Sequence, residues 1–235
     1  MESLTQLVLR PRTRIPAGLC GGLMLLACIL ALSCPAKASL VVNGSFEDPD
    51  IPQNSFALFS SITGWTRFFG PSIEIQDRIA GNDLQPAFDG FQQLELDSTA
   101  NTGIQQTITI PADGLYNLSL AYSPRPGLAA SSAIVQVLWD GTIIGTFGQS
   151  GVGLTQLTWS VENLQIDALA GDHVLGLQAA GTSDSLGGLV DAVSLNAVPE
   201  PGTWLLGVAG LSAVALKLRR RKATMGPPDA PNLRS

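Results

Sequence analysis

Between residues 39 and 198 hydrophobic side chains recur at every second position, and no stretch keeps a helical apolar period over three turns. In 115–123, Tyr116, Leu118, Leu120 and Tyr122 face one way while Asn117, Ser119 and Ala121 face the other. Leu94 and Leu96 alternate with Gln93, Glu95 and Asp97; Leu157, Trp159 and Val161 alternate with Thr158 and Ser160; Val193 and Leu195 repeat the pattern near the end. Residues 134–139 and 142–147 flank Asp140-Gly141, the pair that a two-residue type I′ hairpin turn requires. Turn signals at Asp89-Gly90, Asp113-Gly114, 151–153, 170–172 and Gly187-Gly188 separate the runs. Many short strands at this spacing predict an all-β sandwich or barrel.

Two apolar segments outside this region follow a different logic. Arg10, Arg12 and Arg14 precede an uncharged stretch over 15–36 that closes on Pro35-Ala36-Lys37-Ala38. Small residues at the positions a signal peptidase reads predict a signal peptide over 1–38, cleaved between Ala38 and Ser39. An uncleaved anchor is the alternative. At the other end the uncharged run 203–216 leads into Lys217, Arg219, Arg220, Arg221 and Lys222, with a polar tail over 223–235. Fourteen helical residues span about 21 Å, short of the roughly 30 Å hydrocarbon core, so a transient inner-membrane stop fits better than a permanent anchor.

Composition sharpens the picture. Cys20, Cys28 and Cys34 all lie in the leader, so the region after it has no disulfide and no thiolate site. Residues 39–198 carry 16 acidic side chains against Arg67, Arg78 and Arg125, a net charge of about −13. Such a surface repels nucleic acid and anionic lipid. The lone His173 has no Ser or Cys nucleophile motif beside it, and no phosphate loop occurs. Glu95 and Asp97 share a strand face as two carboxylates of a hydrolase would, but in so acidic a chain a solvated face is the simpler account. The protein is therefore expected not to be an enzyme.

Pro199-Glu200-Pro201, a short apolar segment and the arginine cluster 219–221 together resemble the PEP-CTERM sorting signal over 198–222. That resemblance implies an exosortase as partner, in a Gram-negative bacterium that makes extracellular polysaccharide, with release to the cell surface or beyond. A second resemblance rests on Asn43-Gly44-Ser45-Phe46-Glu47, Gly64-Trp65, Asp89-Gly90 before 94–96, 104–107 running to 114–116, and 190–195. These are similar, in order, to the galactose-binding-like jelly roll shared by carbohydrate-binding modules. The resemblance implies an eight-stranded two-sheet sandwich over 39–197 whose first and last strands lie together. It also implies a structural Ca2+ ion at Glu47 and Asp191. Trp65, Trp139 and Trp159 are expected in the core. Phe68, Phe69 and Arg125 are left as exposed candidates for glycan contact, because sugars need flat aromatic faces and polar partners. The function expected is an exported, non-catalytic domain associated with extracellular polysaccharide. The alternatives are a purely structural surface protein and a small glycan-active hydrolase.

Overall fold

The computed structural model describes residues 38–80, 83–199, 210–212 and 217, apart from the side chains of 83 and 84. The leader up to Lys37, the sorting residues Glu200, Pro201, Arg219, Arg220 and Arg221, and the tail 223–235 lie outside the described residues. Residues 210–212 and Lys217 are helical, and no helix among the described residues is long and apolar enough to cross a membrane.

Two antiparallel six-stranded sheets make a jelly-roll sandwich. The first has the order β1 (Phe56–Phe59), β4 (Ile73–Asp77), β7 (Gln92–Glu95), β14 (Leu189–Ala197), β9 (Gly114–Ser123), β12 (Ser160–Ala168). The second runs β11 (Thr142–Phe147), β10 (Val135–Trp139), β13 (Gly171–Ala179), β8 (Gly103–Ile110), β3 (Trp65–Phe69), β2 (Ser61–Ile62). A hairpin of β5 (Ile79–Ala80) and β6 (Asp83–Leu84) stands apart. Among the described residues the two sheets thus hold twelve strands, where the resemblance implied eight.

The period-two pattern builds the core directly. Ile73 and Ile75, Leu94 and Leu96, Tyr116 to Tyr122 at even positions, and Val190 and Leu195 point inward from the first sheet. Trp65, Ile104, Ile108, Val135, Val137, Leu175 and Leu177 are buried with them from the second. The hairpin is as expected: Asp140 and Gly141 have φ of 50° and 77°, the positive values a type I′ turn needs. On β14 an extra residue between Asp191 and Ser194 shifts the register against β9, with Ala192 at φ 49°. This bulge lets Val190 and Val193, three apart, both reach the core.

The segment from Ser39 to Ile51 forms no strand and is tied down by side chains instead. Gln106 brackets Val42, accepting its N–H and donating to its carbonyl at 2.8 and 2.9 Å. Gln92 accepts from Ile51 N–H and donates to the carbonyls of Phe46 and Pro49. Trp65, buried as expected, donates its indole N–H to Asn43. Val193 N–H reaches the Gly44 carbonyl, and a Cβ on Gly44 would collide with the Val193 carbonyl oxygen. Leu40 N–H donates to Leu195 at 2.9 Å, so the start of the domain lies along its last strand.

Trp159 departs from expectation. It is half-buried, donates its indole N–H to the Pro86 carbonyl, and meets Phe88 edge-on at 6.1 Å. β12 begins only at Ser160, and it is Leu164 and Ile166 that face the core while Val161 points out.

Candidate functional site

β4 and β7 pair so that Gln76 stands opposite Gln93 and Glu74 opposite Glu95. Since Ile73, Ile75 and Leu94 occupy the inner face, these four polar side chains share the outer one. Just past the paired residues, Arg78 donates its N–H to the Phe91 carbonyl, and its guanidinium lies 4.1 Å from the Phe91 ring centre. Asn54, Arg78, Gln85, Pro86, Ala87, Gly90 and Phe91 line an open cleft of about 390 Å³ there. Phe91 is 55% exposed, so a large part of its ring faces the solvent.

Two carboxylates hold the wall of this cleft. One Glu47 oxygen accepts the N–H groups of Phe91 and Gln92, each at 2.7 Å. Asp191 Oδ2 accepts from Phe88 and Asp89, and its Oδ1 from Ala192. Gly90 is required between them, with φ at 72° and no room for a Cβ beside the Glu47 carboxylate. Asp191 is fully buried, and burial pushes its carboxyl up to about 7 against the pull of those N–H donors, with the Asp89 charge adding to the rise. Glu47 and Asp191, expected as calcium ligands, therefore meet at one loop. A buried carboxylate without a cation beside it suits a metal electrostatically. The ligand set is incomplete, however: calcium takes six to eight oxygens. Three oxygens of this pair already receive five N–H groups, and among the described residues no three His, Cys, Asp or Glu side chains gather.

Deeper on the same face the polar groups are buried, which corrects two expectations. Glu95 and Asp97 are not a solvated face: they are 1% and 0% exposed. Arg125 is not an exposed glycan candidate either, at 5%. It pairs with Glu95 Oε2, while Glu95 Oε1 accepts Gly187 N–H at 2.6 Å and Asp97 accepts Asp184 N–H at 3.0 Å. The segments carrying these partners fold over the sheet, and the buried carboxylates are what hold them there. Gln76 bridges the two glutamates, donating to Glu74 and to Glu95. Burial raises the Glu74 carboxyl, and it pushes Glu95 up to about 8 against the attraction of Arg125, with the Glu74 charge reinforcing the rise. Burial thus opposes ionisation of both acids, and the one arginine offsets the negative charge they carry. Gln76 Oε1, Gln93 Oε1 and Arg125 Nε find no hydrogen-bond partner.

Phe68 and Phe69 lie on β3 in the other sheet, 41% and 38% exposed, packed edge-on to each other over Gly103. The structure does not bring them to Arg125. His173 donates from neither ring nitrogen to a nucleophile: Nδ1 faces Asp140 at 2.7 Å and Nε2 faces the Leu169 carbonyl at 2.9 Å, with Trp139 stacked alongside. Because both nitrogens meet acceptors, the imidazolium is favoured, and the Asp140 hydrogen bond, followed by that to Leu169, raises its pKa. Sequence reading missed Phe91, Arg78, Asn54 and Gln85. The signal available was the polar alternation around Leu94, but its meaning depends on which strand lies beside it.

Residues 197–222 match the PEP-CTERM protein-sorting motif. No curated protein matches the chain in sequence. Among solved structures, the chain is similar to a family 35 carbohydrate-binding module from Clostridium thermocellum, at 14% identity and a TM-score of 0.41, covering 61% of this chain and 99% of that one. It is likewise similar to a family 16 carbohydrate-binding module, at 16% identity and 0.43, covering 67% and 99%. A third, the CBM35 from Paenibacillus barcinonensis, shares 18% identity at 0.39, covering 61% and 99%.

Proposed function

We propose that this protein is exported, sorted by an exosortase, and holds a neutral extracellular polysaccharide in the cleft beside Phe91 without acting on it catalytically. The observation that carries the reading is the half-exposed Phe91 ring in an otherwise apolar cleft edged by the Asn54 amide and the Arg78 guanidinium. A pyranose offers a C–H face to such a ring and hydroxyls to such an amide and guanidinium. The net charge of about −13 over 39–198 disfavours polymers of uronic acids. Export begins with a signal peptide cleaved between Ala38 and Ser39. In support, Ser39 belongs to the fold, its hydroxyl oxygen accepting the N–H groups of Val41 and Leu195. The sorting segment then holds the chain briefly in the inner membrane before release to the surface or matrix. The hydrolase alternative loses support because Glu95 and Asp97 are buried beneath their own hydrogen-bond partners. Titration calorimetry with neutral and uronate-containing polysaccharides tests the reading. Phe91→Ala is expected to weaken binding of the neutral polymer at least tenfold, with an unchanged melting temperature. No heat with any polymer, or equal affinity in the variant, rejects the cleft and leaves a purely structural surface protein.

Calcium at Glu47 and Asp191 is a separate proposal, favoured by the buried, uncompensated Asp191 carboxyl. Its remaining ligands would come from backbone carbonyls and water. A melting temperature several degrees higher in calcium than in EDTA, with the difference lost in Asp191→Ala, supports it; identical melting in the two buffers rejects it.

A further inference from the structure

The sorting motif starts inside the folded domain. Its match begins at Ala197, the last residue of β14, and Val198 still donates its N–H to the Leu115 carbonyl at 2.8 Å. Pro199, which has no N–H to give, is the first position past the ladder. β14 is a central strand, with β7 on one side and β9 on the other. Its last four residues pair with Tyr116 to Ser119, and Leu195 is fully buried with its backbone held by Ser39 and Leu40. Peeling this end away to offer an extended substrate would break those bonds and expose Leu195. The motif is therefore presented with the strand in place and no linker before it.

Reach makes the consequence concrete. From Val198 to Thr203, where the uncharged run starts, is five residues, at most about 18 Å when extended. Until the chain is cut, the pole where β14 leaves the sandwich stays that close to the membrane segment. The pole consists of turn 111–114, turn 168–171 and the start of the domain near Ser39, as the pairings of Gly114 with Ala168 and Gly171 with Ile110 show. Leu169 and Leu115 are exposed there, 69% and 39%, and Leu115 is the residue that receives Val198. Asp113, Asp167 and Asp172, all exposed, surround them with acid. An anionic bilayer would repel this rim, whereas a protein face with an apolar recess and basic edges complements it.

We infer that the pole carrying Leu115 and Leu169 docks against the sorting enzyme itself, so that the folded domain, rather than a flexible spacer, sets the position of Pro199-Glu200-Pro201. The inference rests on the exosortase reading above. The test uses the full chain in its host, following loss of the arginine-rich terminus by pulse-chase and mass spectrometry. The double variant Leu115→Asp, Leu169→Asp is expected to slow cleavage at least fivefold with little change in the melting temperature of the exported product. Inserting eight Gly-Ser residues between Val198 and Pro199 is expected to slow it too, and to erase the difference between the native and substituted poles. Wild-type cleavage rates in either variant overturn the docking and leave sorting intact. Binding of the exported protein to phosphatidylethanolamine–phosphatidylglycerol vesicles that is lost in the double variant makes lipid the occupant and overturns it as well. Failure of the unaltered chain to lose its terminus rejects the exosortase reading itself, and the docking with it.

Discussion

Raising the pH from 5 to 9 is expected to lower the melting temperature of this protein by about 10 °C or more, with most of the loss between pH 5 and 8. Three groups drive the change in the same direction. Asp191 is pushed up to about 7 from 3.8 and Glu95 up to about 8 from 4.5, both by burial first, while His173 is raised from 6.5 by Asp140 and Leu169. For each acid the folded state binds its proton more tightly than the unfolded state between the two pKa values, so stability falls as pH rises through that window. For His173 the stabilising imidazolium is present below the unfolded pKa and lost as pH climbs through the folded one. Over pH 5 to 7 Asp191 alone accounts for about 2 kcal/mol, at up to 1.36 kcal/mol per unit, and about 2–4 °C accompanies each kcal/mol in a domain of this size. Asp140 works the other way. Burial pushes it up, but the hydrogen bonds from His173 and Val174 outweigh that and hold it low, so its contribution is lost on strong acidification. Calorimetric scans across pH 4–9 provide the measurement, with Asp191→Asn expected to flatten the slope. A level profile between pH 5 and 9 would show that these carboxyls are solvated.

Arg125→Met is expected to cost about 3–5 kcal/mol at pH 8, the usual loss when one partner of a buried ion pair is removed. The surviving group is what makes it expensive. Glu95 is 1% exposed, and without the guanidinium the Glu74–Glu95 pair carries a charge with nothing opposite it. At pH 5 Glu95, pushed up to about 8, holds its proton and strands no charge, so the same substitution should cost far less there. Adding Glu95→Gln to the variant removes the acid that faced Arg125 while keeping an acceptor for Gly187, but leaves the Glu74 carboxyl, so only part of the stability should return at pH 8. Urea unfolding of the two single variants and the double variant at both pH values closes the cycle. A loss at pH 5 equal to that at pH 8 would mean that Arg125 acts through packing alone.

What the sequence makes legible here is whatever a single strand decides by itself. Tyr116, Leu118, Leu120 and Tyr122 could be assigned to the core because alternation depends only on the pleat, and Asp140-Gly141 could be read as a turn because few other pairs tolerate two positive φ values. Family resemblance implied that the first and last strands lie together; instead β1 stands at the sheet edge, two strands from β14, and it is the strandless segment before it that meets β14, at Leu40 and Leu195. Whatever depends on a neighbouring strand was not legible. Glu95 looks like any outward-facing acid until Glu74 is found opposite it and Arg125 above it. Phe91 and Arg78 stand on separate turns, and only the pairing of β4 with β7 brings ring and guanidinium together. Trp159 was misplaced for a related reason: it precedes β12, and outside a strand alternation no longer says which way a side chain points.

The central position of β14 also decides how the molecule carries load. A polymer held beside Phe91, as proposed above, would pull on β7, which joins β14 through Leu94 and Glu95 opposite Val190 and Leu189, and through the Asp191 carboxylate clamped on Phe88 and Asp89. β14 then runs, through its bulge at Ala192, to the exit beside Val198, where any tether begins. Tension between ligand and anchorage therefore crosses one strand boundary of the first sheet and bypasses the second sheet altogether. Under traction the sandwich should yield first at the short β7–β14 seam, a mechanical fuse set between grip and leash.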